Sequence, residues 1–228
     1  MQNVKTVCAI IVAAGSSSRM SKGNKLFMNV LSKPCLAHTL QAFQNSSVVD
    51  GIIVVTKEEY IQEVKNLCEQ YGIDKLTSVT EGGSTRAASV LCGVNAAKDF
   101  DIILIHDGAR PLVSENLILK VSLAAAEYGA AIPCVAVKDT IKRVENDFVV
   151  NTPERATLNA VQTPQGFMRT LYEKAADSLE GDLASLTDDS MLFEAAGYRV
   201  KTVEGEYENI KITTDSDIAV VERFLGEQ

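Results

Sequence analysis

The amino-acid sequence predicts an α/β fold with a mostly parallel, mixed sheet, helices on both faces and an extended β-arm. Continuous apolar runs such as TVCAIIVAA and DIILIHD are typical of strands buried on both faces, as in parallel sheets. Segments of helical periodicity separate these runs, which implies right-handed crossovers that cover both faces of the sheet. The alternation stops at residue 138 and resumes after residue 163, so we expect one inserted arm.

Up to residue 137, predicted strands and helices alternate. The ends of the helices carry recognisable sequence signals. Pro34 opens the first helix, and Gly72 ends the second. Ser84 and Ser114 are candidate N-caps of the third and fourth helices. The predicted elements are the strand TVCAIIVAA, the helix PCLAHTLQAFQNS, the strand DGIIVVT, the helix EEYIQEVKNLCEQYG, the strand KLTSVT, the helix STRAASVLCGVNAAK, the strand DIILIHD, the helix SENLILKVSLAAAEYG and the strand AAIPCVAV.

Beyond residue 137 the pattern changes and then recovers. Residues 138–163 alternate apolar and polar side chains with turn signals at END and NTPE, which predicts hairpin strands that extend from the sheet. The helices GFMRTLYEKAAD and DDSMLFEAAG, the strands YRVKTVEG and NIKITT, and a last helix, DSDIAVVERFLG, capped by Asp215, are predicted to follow. We therefore expect residues 1–228 to form a single domain that carries the arm.

The composition argues against several classes of function. With 30 acidic against 22 basic residues, the net charge is −8, which argues against a nucleic-acid or membrane-surface binder. No apolar run approaches the length of a membrane span. Five scattered cysteines indicate core positions in a reducing compartment, so we expect a cytoplasmic protein. The two histidines, His38 and His106, are too few for a histidine metal cluster, and we interpret His106 as structural.

The first predicted strand ends in AAGSSSRMSKGNK, where small residues coincide with the cations Arg19, Lys22 and Lys25. Small residues let backbone N–H groups approach an anion, and phosphate is the natural candidate. Met20 stands where a P-loop needs its second glycine, and Ser17 and Met20 stand where the dinucleotide fingerprint needs glycines. We therefore predict a phosphate site that is neither a standard ATPase loop nor a standard NAD loop.

Three further strand ends carry unusual residues, and ligands of open parallel sheets bind beyond such ends. Asp107 ends an apolar strand three residues before Arg110 and is a candidate Mg²⁺ ligand. Gly82 and Gly83 allow a flat base or sugar to lie against the backbone, although this segment alone favours a tight turn before a capped helix. Lys211 lies between two isoleucines of a short predicted strand, which is a weak signal by itself. Cations, one carboxylate and no evident nucleophile–base pair favour phosphoryl or nucleotidyl transfer.

The segments IIVAAGSSSRM, GGSTRAASVLCGV, IHDGARP, DTIKRV, LNAVQTPQGF, TDDS and VEGEYENIKITTDSDI occur in this order along nearly the whole chain. With this series the chain closely resembles the 2-C-methyl-D-erythritol 4-phosphate cytidylyltransferase family, whose fold is Rossmann-like. The resemblance implies that the phosphate of methylerythritol phosphate attacks the α-phosphorus of CTP. Pyrophosphate would leave, and the product would be 4-diphosphocytidyl-2-C-methyl-D-erythritol of the non-mevalonate isoprenoid pathway. The resemblance also implies Mg²⁺, or another divalent cation, as cofactor and no covalent enzyme intermediate.

The resemblance also assigns roles to residues at matching positions. It implies that Arg19 and Lys25 stabilise the α-phosphate and the leaving pyrophosphate, while Lys22 matches no family position and is auxiliary. It implies that Lys211 holds the α-phosphate and the incoming phosphate. The other implied roles are Ala13, Ala14 and Gly15 in the nucleotide loop, Gly82, Gly83 and Ser89 at cytosine, Asp107 at Mg²⁺ with Arg110 beside it, and Arg155, Thr140 and Thr187 at the methylerythritol phosphate.

The arm of residues 138–163 resembles the dimer-forming arm of the family. This implies a homodimer with shared active sites, in which Arg155 reaches the neighbouring subunit. Two positions depart from the family pattern. Ser17 replaces a glycine of the GxGxRM loop, which would strain the loop if its φ were positive. Gly108 replaces an alanine of HDAARP, a change that we expect to be sterically harmless.

Three other functions stay open on the sequence alone. D-ribitol-5-phosphate cytidylyltransferase shares the fold and the chemistry, although Ala109 before Arg110 differs from its HDAVRP-like segment. A nicotinamide-dependent oxidoreductase is disfavoured, because GxGxxG is incomplete and no acid ends the second predicted strand. A noncatalytic nucleotide-binding sensor would be expected to lack one of the charged residues at the strand ends, and Arg19, Lys25, Asp107 and Lys211 are all present.

Overall fold

The computed structural model describes residues 5–15, 24–179 and 186–226, and its centre is a mixed eight-stranded sheet. In chain order the strands are Val7–Val12 (β1), Asn29–Val30 (β2), Lys33–Pro34 (β3), Gly51–Thr56 (β4), Leu76–Glu81 (β5), Ile102–Asp107 (β6), Ala130–Ala136 (β7), Arg143–Glu145 (β8), Phe148–Asn151 (β9), Asn159–Val161 (β10), Gln165–Met168 (β11) and Lys201–Glu204 (β12). The central sheet has the order β10-β7-β11-β6-β1-β4-β5, with β12 paired to β7, while β2–β3 and β8–β9 form separate two-stranded sheets.

The sheet is parallel on one side and mixed on the other, as predicted. β1 pairs in parallel with β4 and β6, and β4 pairs in parallel with β5. β12 is parallel to β7, whereas β10 and β11 are antiparallel to their neighbours. The prediction of a helix over GFMRTLYEKAAD was wrong at its start, because Gln165–Met168 is a strand between β6 and β7. A short apolar run fits either a strand or a buried helix, and two adjacent strands that offer backbone partners decide between them.

The helices of the described residues lie where the sequence predicts them, with two differences at their ends. Thr85, and not Ser84, caps the third helix, because its hydroxyl accepts from the backbone N–H of Ala88. Asp215 is the first helical residue of the last helix, and Asp217 is the carboxylate that accepts from the preceding backbone. The helices are Cys35–Asn45 (α1), Ile61–Gln70 (α2), Arg86–Ala96 (α3), Glu115–Tyr128 (α4), Arg169–Asp177 (α5), Ser190–Ala195 (α6) and Asp215–Gly226 (α7).

Side chains of β1 alternate between two hydrophobic cores, one on each face of the sheet. Ala9 and Ile11 pack in the core formed with α1, α2 and α4. Cys8 and Ile10 pack in the core formed with α3, α5 and α6. This double burial explains why the sequence of the strand is apolar at every position. All five cysteines are free, and burial raises the pKa of Cys8 to about 12, so this thiol packs as a small apolar group.

The arm extends from the end of β7 as an exposed hairpin of β8 and β9. Asn146 and Asp147 form its tip with φ of 48° and 66°, a left-handed conformation that these two residue types tolerate. After the hairpin the chain returns to the sheet as β10, antiparallel to β7. Among the described residues, no helix is both long and apolar enough to cross a membrane.

Candidate active site

The strand order reverses between β1 and β6, because the chain runs from β1 to β4 and β5 on one side and then to β6 on the other. Ligands of open α/β sheets bind at such a switch point, beyond the carboxyl ends of the strands. Val12 and Asp107 end these two strands in register, and a cavity of about 530 Å³ opens beside them. Its lining is Val12, Ala14, Gly15, Lys25, Leu26, Lys57, Gly82, Gly83, Ser84, Thr85, Arg86, Ser89, Asp107, Gly108, Ala109, Lys211 and Thr213.

The loop after β1 enters this cavity only in part. Ala14 and Gly15 line the cavity, whereas Ala13 is buried in the core and donates its N–H to the carbonyl of Val55 on β4. Ala13 therefore fixes the start of the loop and does not face the ligand space. The predicted phosphate residues Arg19 and Lys22, and the unusual Ser17, lie outside the described residues.

The glycine pair after β5 forms one wall of the cavity. Larger residues do not fit at either position. A Cβ atom at Gly82 would lie 2.8 Å from both the Ala14 Cβ and the Ser89 Oγ. One at Gly83 would lie 2.5 Å from the Ala88 Cβ. The tight turn and the capped helix are thus present, and the same turn also leaves flat backbone open to the cavity. The segment can therefore be a tight turn before a capped helix and also a surface for a flat base or sugar.

Asp107 sits at the centre of a cationic cluster at the end of β6. Its Oδ2 lies 2.9 Å from the Lys211 Nζ and 3.5 Å from the Arg110 Nε, and its Oδ1 lies 3.8 Å from the Arg86 Nε. Burial alone would raise the pKa of Asp107, but Lys211, Arg86 and Arg110 together lower that pKa well below its usual range. The carboxylate is therefore ionised at neutral pH.

Arg86, which was not among the residues predicted from the sequence, links the cavity to a second buried carboxylate. Its Nη1 donates to the Asp189 Oδ2 at 2.8 Å, and the Tyr172 hydroxyl donates to the Asp189 Oδ1 at 3.1 Å. Burial by itself lowers the pKa of Arg86, but Asp189 and Asp107 outweigh it and raise the pKa overall. The only sequence signal was the cation at the start of the helix after the glycine pair; its partner Asp189 is about a hundred residues away.

His106 is fully buried, and the position of its ring proton follows from its neighbours. Thr163 Oγ1 accepts from the Asp107 N–H at 3.1 Å, so its own hydroxyl proton can donate to the His106 Nδ1 at 3.0 Å. The His106 Nε2 then carries the ring proton and donates to the Arg110 carbonyl at 3.1 Å. Two side chains thereby hold the turn that presents Asp107 and Arg110.

Lys211 reaches the cavity from a segment that is not a strand, so the strand predicted for NIKITT was wrong. The backbone N–H of Ile212 donates to the carbonyl of Ala109, in the turn after β6, at 2.9 Å. Ile212 is buried, whereas the Lys211 ammonium lies at Asp107 beside the cavity. Lys25 meets this segment from the other side, since its Nζ donates to the Ile212 carbonyl at 2.7 Å.

Three predicted substrate residues lie outside the cavity of this one chain. Thr140 and Arg155 are exposed on the arm, where the Arg155 Nη1 donates to the Lys138 carbonyl at 3.0 Å. Thr187 is exposed ahead of α6, and its hydroxyl contacts the Met191 sulfur at 3.1 Å. The single chain therefore brings most of the residues predicted at the nucleotide to one cavity and leaves these three apart from them.

Gly108 fits its site, and neighbouring atoms lie close to the position that a Cβ atom would take. A Cβ atom there would lie 3.2 Å from the Val12 carbonyl oxygen and 3.3 Å from the Leu36 Cδ1. The Gly108 carbonyl accepts from the buried Thr39 hydroxyl at 2.9 Å. The glycine itself is harmless, as expected, whereas an alanine would now need these neighbours to move slightly.

The described lining of the cavity is strongly cationic although the chain is acidic overall. Lys25, Lys57, Arg86 and Lys211 face a cavity to which the described lining residues contribute one carboxylate, Asp107. A glycine wall for a flat group and cations for an anion suit a nucleotide with its phosphates.

Comparison with known proteins agrees with this geometry. The family model described as 2-C-methyl-D-erythritol 4-phosphate cytidylyltransferase matches residues 7–227. The curated protein of that name from Bacillus cereus is 43% identical over 220 residues, covering 96% of this chain and 97% of its own. The one from Caldanaerobacter subterraneus subsp. tengcongensis is 45% identical over 227 residues, covering 96% of this chain and 98% of its own.

Solved structures are similar over nearly the full length as well. The crystal structure of 4-diphosphocytidyl-2C-methyl-D-erythritol synthase from Anaerococcus prevotii has a TM-score of 0.85 at 34% identity, covering 98% of this chain and all of its own. That of 2-C-methyl-D-erythritol 4-phosphate cytidylyltransferase from Thermus thermophilus has a TM-score of 0.76 at 32% identity, covering 95% of this chain and 98% of its own.

Proposed function

The chain belongs to the 2-C-methyl-D-erythritol 4-phosphate cytidylyltransferase family, and from this premise we propose how its own residues carry out the reaction. The enzyme joins CTP and 2-C-methyl-D-erythritol 4-phosphate to give 4-diphosphocytidyl-2-C-methyl-D-erythritol and pyrophosphate, in the non-mevalonate isoprenoid pathway. The ribitol-phosphate alternative is not favoured by these relatives. An oxidoreductase or a noncatalytic sensor is not favoured either.

The cationic cluster around Asp107, opposite the glycine wall, is the observation that carries the proposal. Cytosine lies against Gly82, Gly83 and Ser89, and the phosphates lie toward Lys25 and Lys211. Such positive groups stabilise charge that develops on the transferred phosphoryl group, which is the main contribution that proteins make to this chemistry.

In the reaction, an oxygen of the methylerythritol phosphate forms a bond to the α-phosphorus of CTP. The bond from that phosphorus to the bridging oxygen of the β-phosphate breaks, and pyrophosphate leaves with the electron pair. The attacking phosphate is already an anion, so no side chain has to remove a proton from it. Lys211 holds the α-phosphate and the incoming phosphate, and Lys25, together with Arg19, stabilises the α-phosphate and the pyrophosphate.

A divalent cation, Mg²⁺ by preference, fits the donor set if the phosphates of CTP supply the ligands that the protein does not. The described residues contain no group of three or more histidine, cysteine, aspartate or glutamate side chains that could hold a metal ion. Asp107 is ionised and lines the cavity, and Mg²⁺ is commonly held by one or two carboxylates plus substrate phosphates. Asp107 would therefore hold the ion jointly with CTP. When bound, the ion neutralises phosphate charge and polarises the phosphoryl group.

The enzyme acts as a homodimer in the cytoplasm, with residues 138–163 as the arm that meets the second subunit. Exposed apolar side chains on the hairpin support this, since Val144, Phe148, Val149 and Val150 are all at least half exposed. Thr140 and Arg155 then complete the methylerythritol phosphate site of the partner, together with Thr187 of the subunit that binds CTP. Free cysteines support a reducing compartment.

Pyrophosphate release from CTP and Mg²⁺, with methylerythritol 4-phosphate and ribitol 5-phosphate offered in parallel, tests the proposal. We expect release with the first substrate, and a loss of about a hundredfold or more in kcat/KM for Lys211→Met or Asp107→Asn. Lys120→Met removes an exposed cation outside the cavity and should change kcat/KM by less than about twofold. Equal losses for Lys211→Met and Lys120→Met would contradict the assigned roles, and release with ribitol phosphate alone would reassign the substrate.

A further inference from the structure

The segment that carries Lys211 leaves the sheet several residues before it reaches the active site. β12 ends at Glu204, and the Gly205 N–H still donates to the Cys134 carbonyl of β7 at 2.8 Å. The next backbone bond from this segment to the loop beside the cavity is the one from Ile212 to Ala109. Residues 206–211 therefore need other partners if the Lys211 ammonium is to stay 2.9 Å from Asp107.

Gln162 supplies such partners through its side-chain amide. The Gln162 Oε1 accepts from the Glu206 N–H at 3.1 Å, and the Nε2 donates to the carbonyls of Glu206 at 2.7 Å and Asn209 at 3.3 Å. Gln162 is 6% exposed, and its own N–H donates to the Pro133 carbonyl of β7 at 2.8 Å. The amide thus takes the place of a peptide group of a neighbouring strand. We call these three bonds the Gln162 clasp.

The surroundings are built to fit the clasp. A Cβ atom at Gly205 would lie 2.5 Å from the Gln162 Oε1, so only glycine lets the chain lie against the amide. The buried Asn209 adds a bond from its Nδ2 to the Thr163 carbonyl at 2.8 Å, and its own carbonyl accepts from the Arg110 Nη1 at 2.7 Å. The turn two residues before Lys211 is therefore tied to the sheet and to the Asp107 cluster at once.

We propose that Gln162 is a positioning residue that holds the Lys211 ammonium at Asp107, and so on the reacting phosphates, through the Gln162 clasp. Gln162 is not part of the cavity lining, so it acts through the 205–211 segment. The catalytic part of this inference rests on the proposed role of Lys211. A displacement of about 1 Å in a catalytic group can cost about a hundredfold in rate, which is why such a clasp matters for turnover.

Gln162→Leu keeps most of the side-chain volume and removes all three bonds of the clasp. Gln44→Leu is the matched control, because the Gln44 Oε1 accepts from the Lys75 N–H at 2.9 Å away from the cavity. In folded enzyme we expect Gln162→Leu to lower kcat about tenfold or more, and Gln44→Leu to change it less than about twofold. Adding Gln162→Leu to a Lys211→Met enzyme should cost less than about threefold, since the positioned group is already gone.

A second readout does not depend on activity. Acetylation of each lysine by acetic anhydride, followed by mass spectrometry, measures how firmly Lys211 is paired with Asp107. We expect Gln162→Leu, and independently Gly205→Ala, to raise the Lys211 labelling rate about threefold or more, with exposed Lys120 unchanged. The Cβ of Gly205→Ala would push the Gln162 amide away from the segment, so this variant tests the Gln162 clasp even if Gln162→Leu does not fold.

Unchanged Lys211 labelling in folded Gln162→Leu or Gly205→Ala would overturn the inference. So would an equal loss of kcat from Gln162→Leu with and without Lys211. A wild-type enzyme that released no pyrophosphate would instead contradict the proposed function, while the labelling would still test the Gln162 clasp.

Discussion

His106 and Asp107 are neighbours on β6 and both are buried, yet the first is neutral and the second is charged at neutral pH. Successive side chains of a strand point to opposite faces, so Asp107 meets the cations of the cavity while His106 packs against Phe43, with 4.9 Å between the ring centroids. Burial is the main cause that lowers the pKa of His106 to about 4. At the residue scale, the charged neighbours of a buried group decide its charge state: three cations keep Asp107 ionised, whereas burial keeps His106 neutral.

The lowered pKa of His106 predicts a pH-dependent stability. Below about pH 6.5 the unfolded chain binds a proton at this residue that the folded chain does not bind until about pH 4, so folding becomes less favourable as pH falls through this window. Between pH 7.5 and pH 5, we expect the wild type to lose about 2 kcal/mol more unfolding free energy than His106→Asn, measured by urea denaturation.

His38→Asn is the control for this measurement. Burial lowers the pKa of His38 as well, but His38 is only partly buried. The change in unfolding free energy between pH 7.5 and pH 5 should therefore differ less between the wild type and His38→Asn than between the wild type and His106→Asn. An equal loss of stability in the wild type and in His106→Asn over the same pH range would contradict the prediction.

The hairpin of the arm is an element without a core of its own. Among the described residues, β8 and β9 pair only with each other, and a lone two-stranded hairpin is marginally stable in water. Phe148 is 76% exposed at the start of β9. In the dimer proposed above, the second subunit would cover this exposed aromatic.

Phe148→Ser should therefore weaken the proposed dimer. We expect the wild type to sediment as a dimer and the variant to dissociate at about tenfold or more higher protein concentration, because an apolar anchor at the interface is lost. Leu123→Ser removes a side chain that is 61% exposed on α4, outside the arm, and should leave the association state unchanged. Identical sedimentation of the wild type and Phe148→Ser would exclude this role of the arm.

At the scale of the whole molecule, the residues that we assign to the two substrates do not all lie at the cavity of the single chain. The cavity combines the loop after β1, the turn and helix start after β5, the turn after β6 and the segment of Lys211, together with Lys25, Leu26 and Lys57. Thr140 and Arg155 remain on the arm, outside this cavity. The proposed dimer resolves this separation by placing the arm of each subunit at the cavity of the other.

Shared sites predict complementation between two inactive variants. Mixing Lys25→Ala subunits with Arg155→Ala subunits leaves one intact composite site in each heterodimer, so a purified heterodimer should recover about half of the wild-type turnover per dimer. Pyrophosphate release measures this recovery. A heterodimer of Lys25→Ala with a Lys25→Ala/Arg155→Ala double variant has no intact site and should stay inactive. Absence of recovery in the first heterodimer would mean that Arg155 does not act across the interface.

Much of the fold could be predicted from the sequence, because local patterns report burial directly. β1 is apolar throughout and β6 is apolar from Ile102 to Ile105, since both faces of each strand are covered there. Gly72 marks a helix end through its positive φ, and Ser114 marks a helix start through its hydroxyl, which accepts from the Leu117 N–H. The strand β11 was misassigned, since a short segment such as Gln165–Met168 takes its conformation from the neighbours β6 and β7.

The candidate site, like the fold, was predictable from the sequence only in part. The sequence by itself placed Asp107 and Gly82 at the ends of strands and Lys25 in the segment after β1, and the carboxyl ends of parallel strands meet at one edge of the sheet. Only the tertiary structure decided that Arg86 meets Asp189 and that Gln162 holds the segment of Lys211. Hydrophobic periodicity is carried by adjacent residues, whereas ion pairs and amide bonds join groups that become neighbours only after the chain has folded.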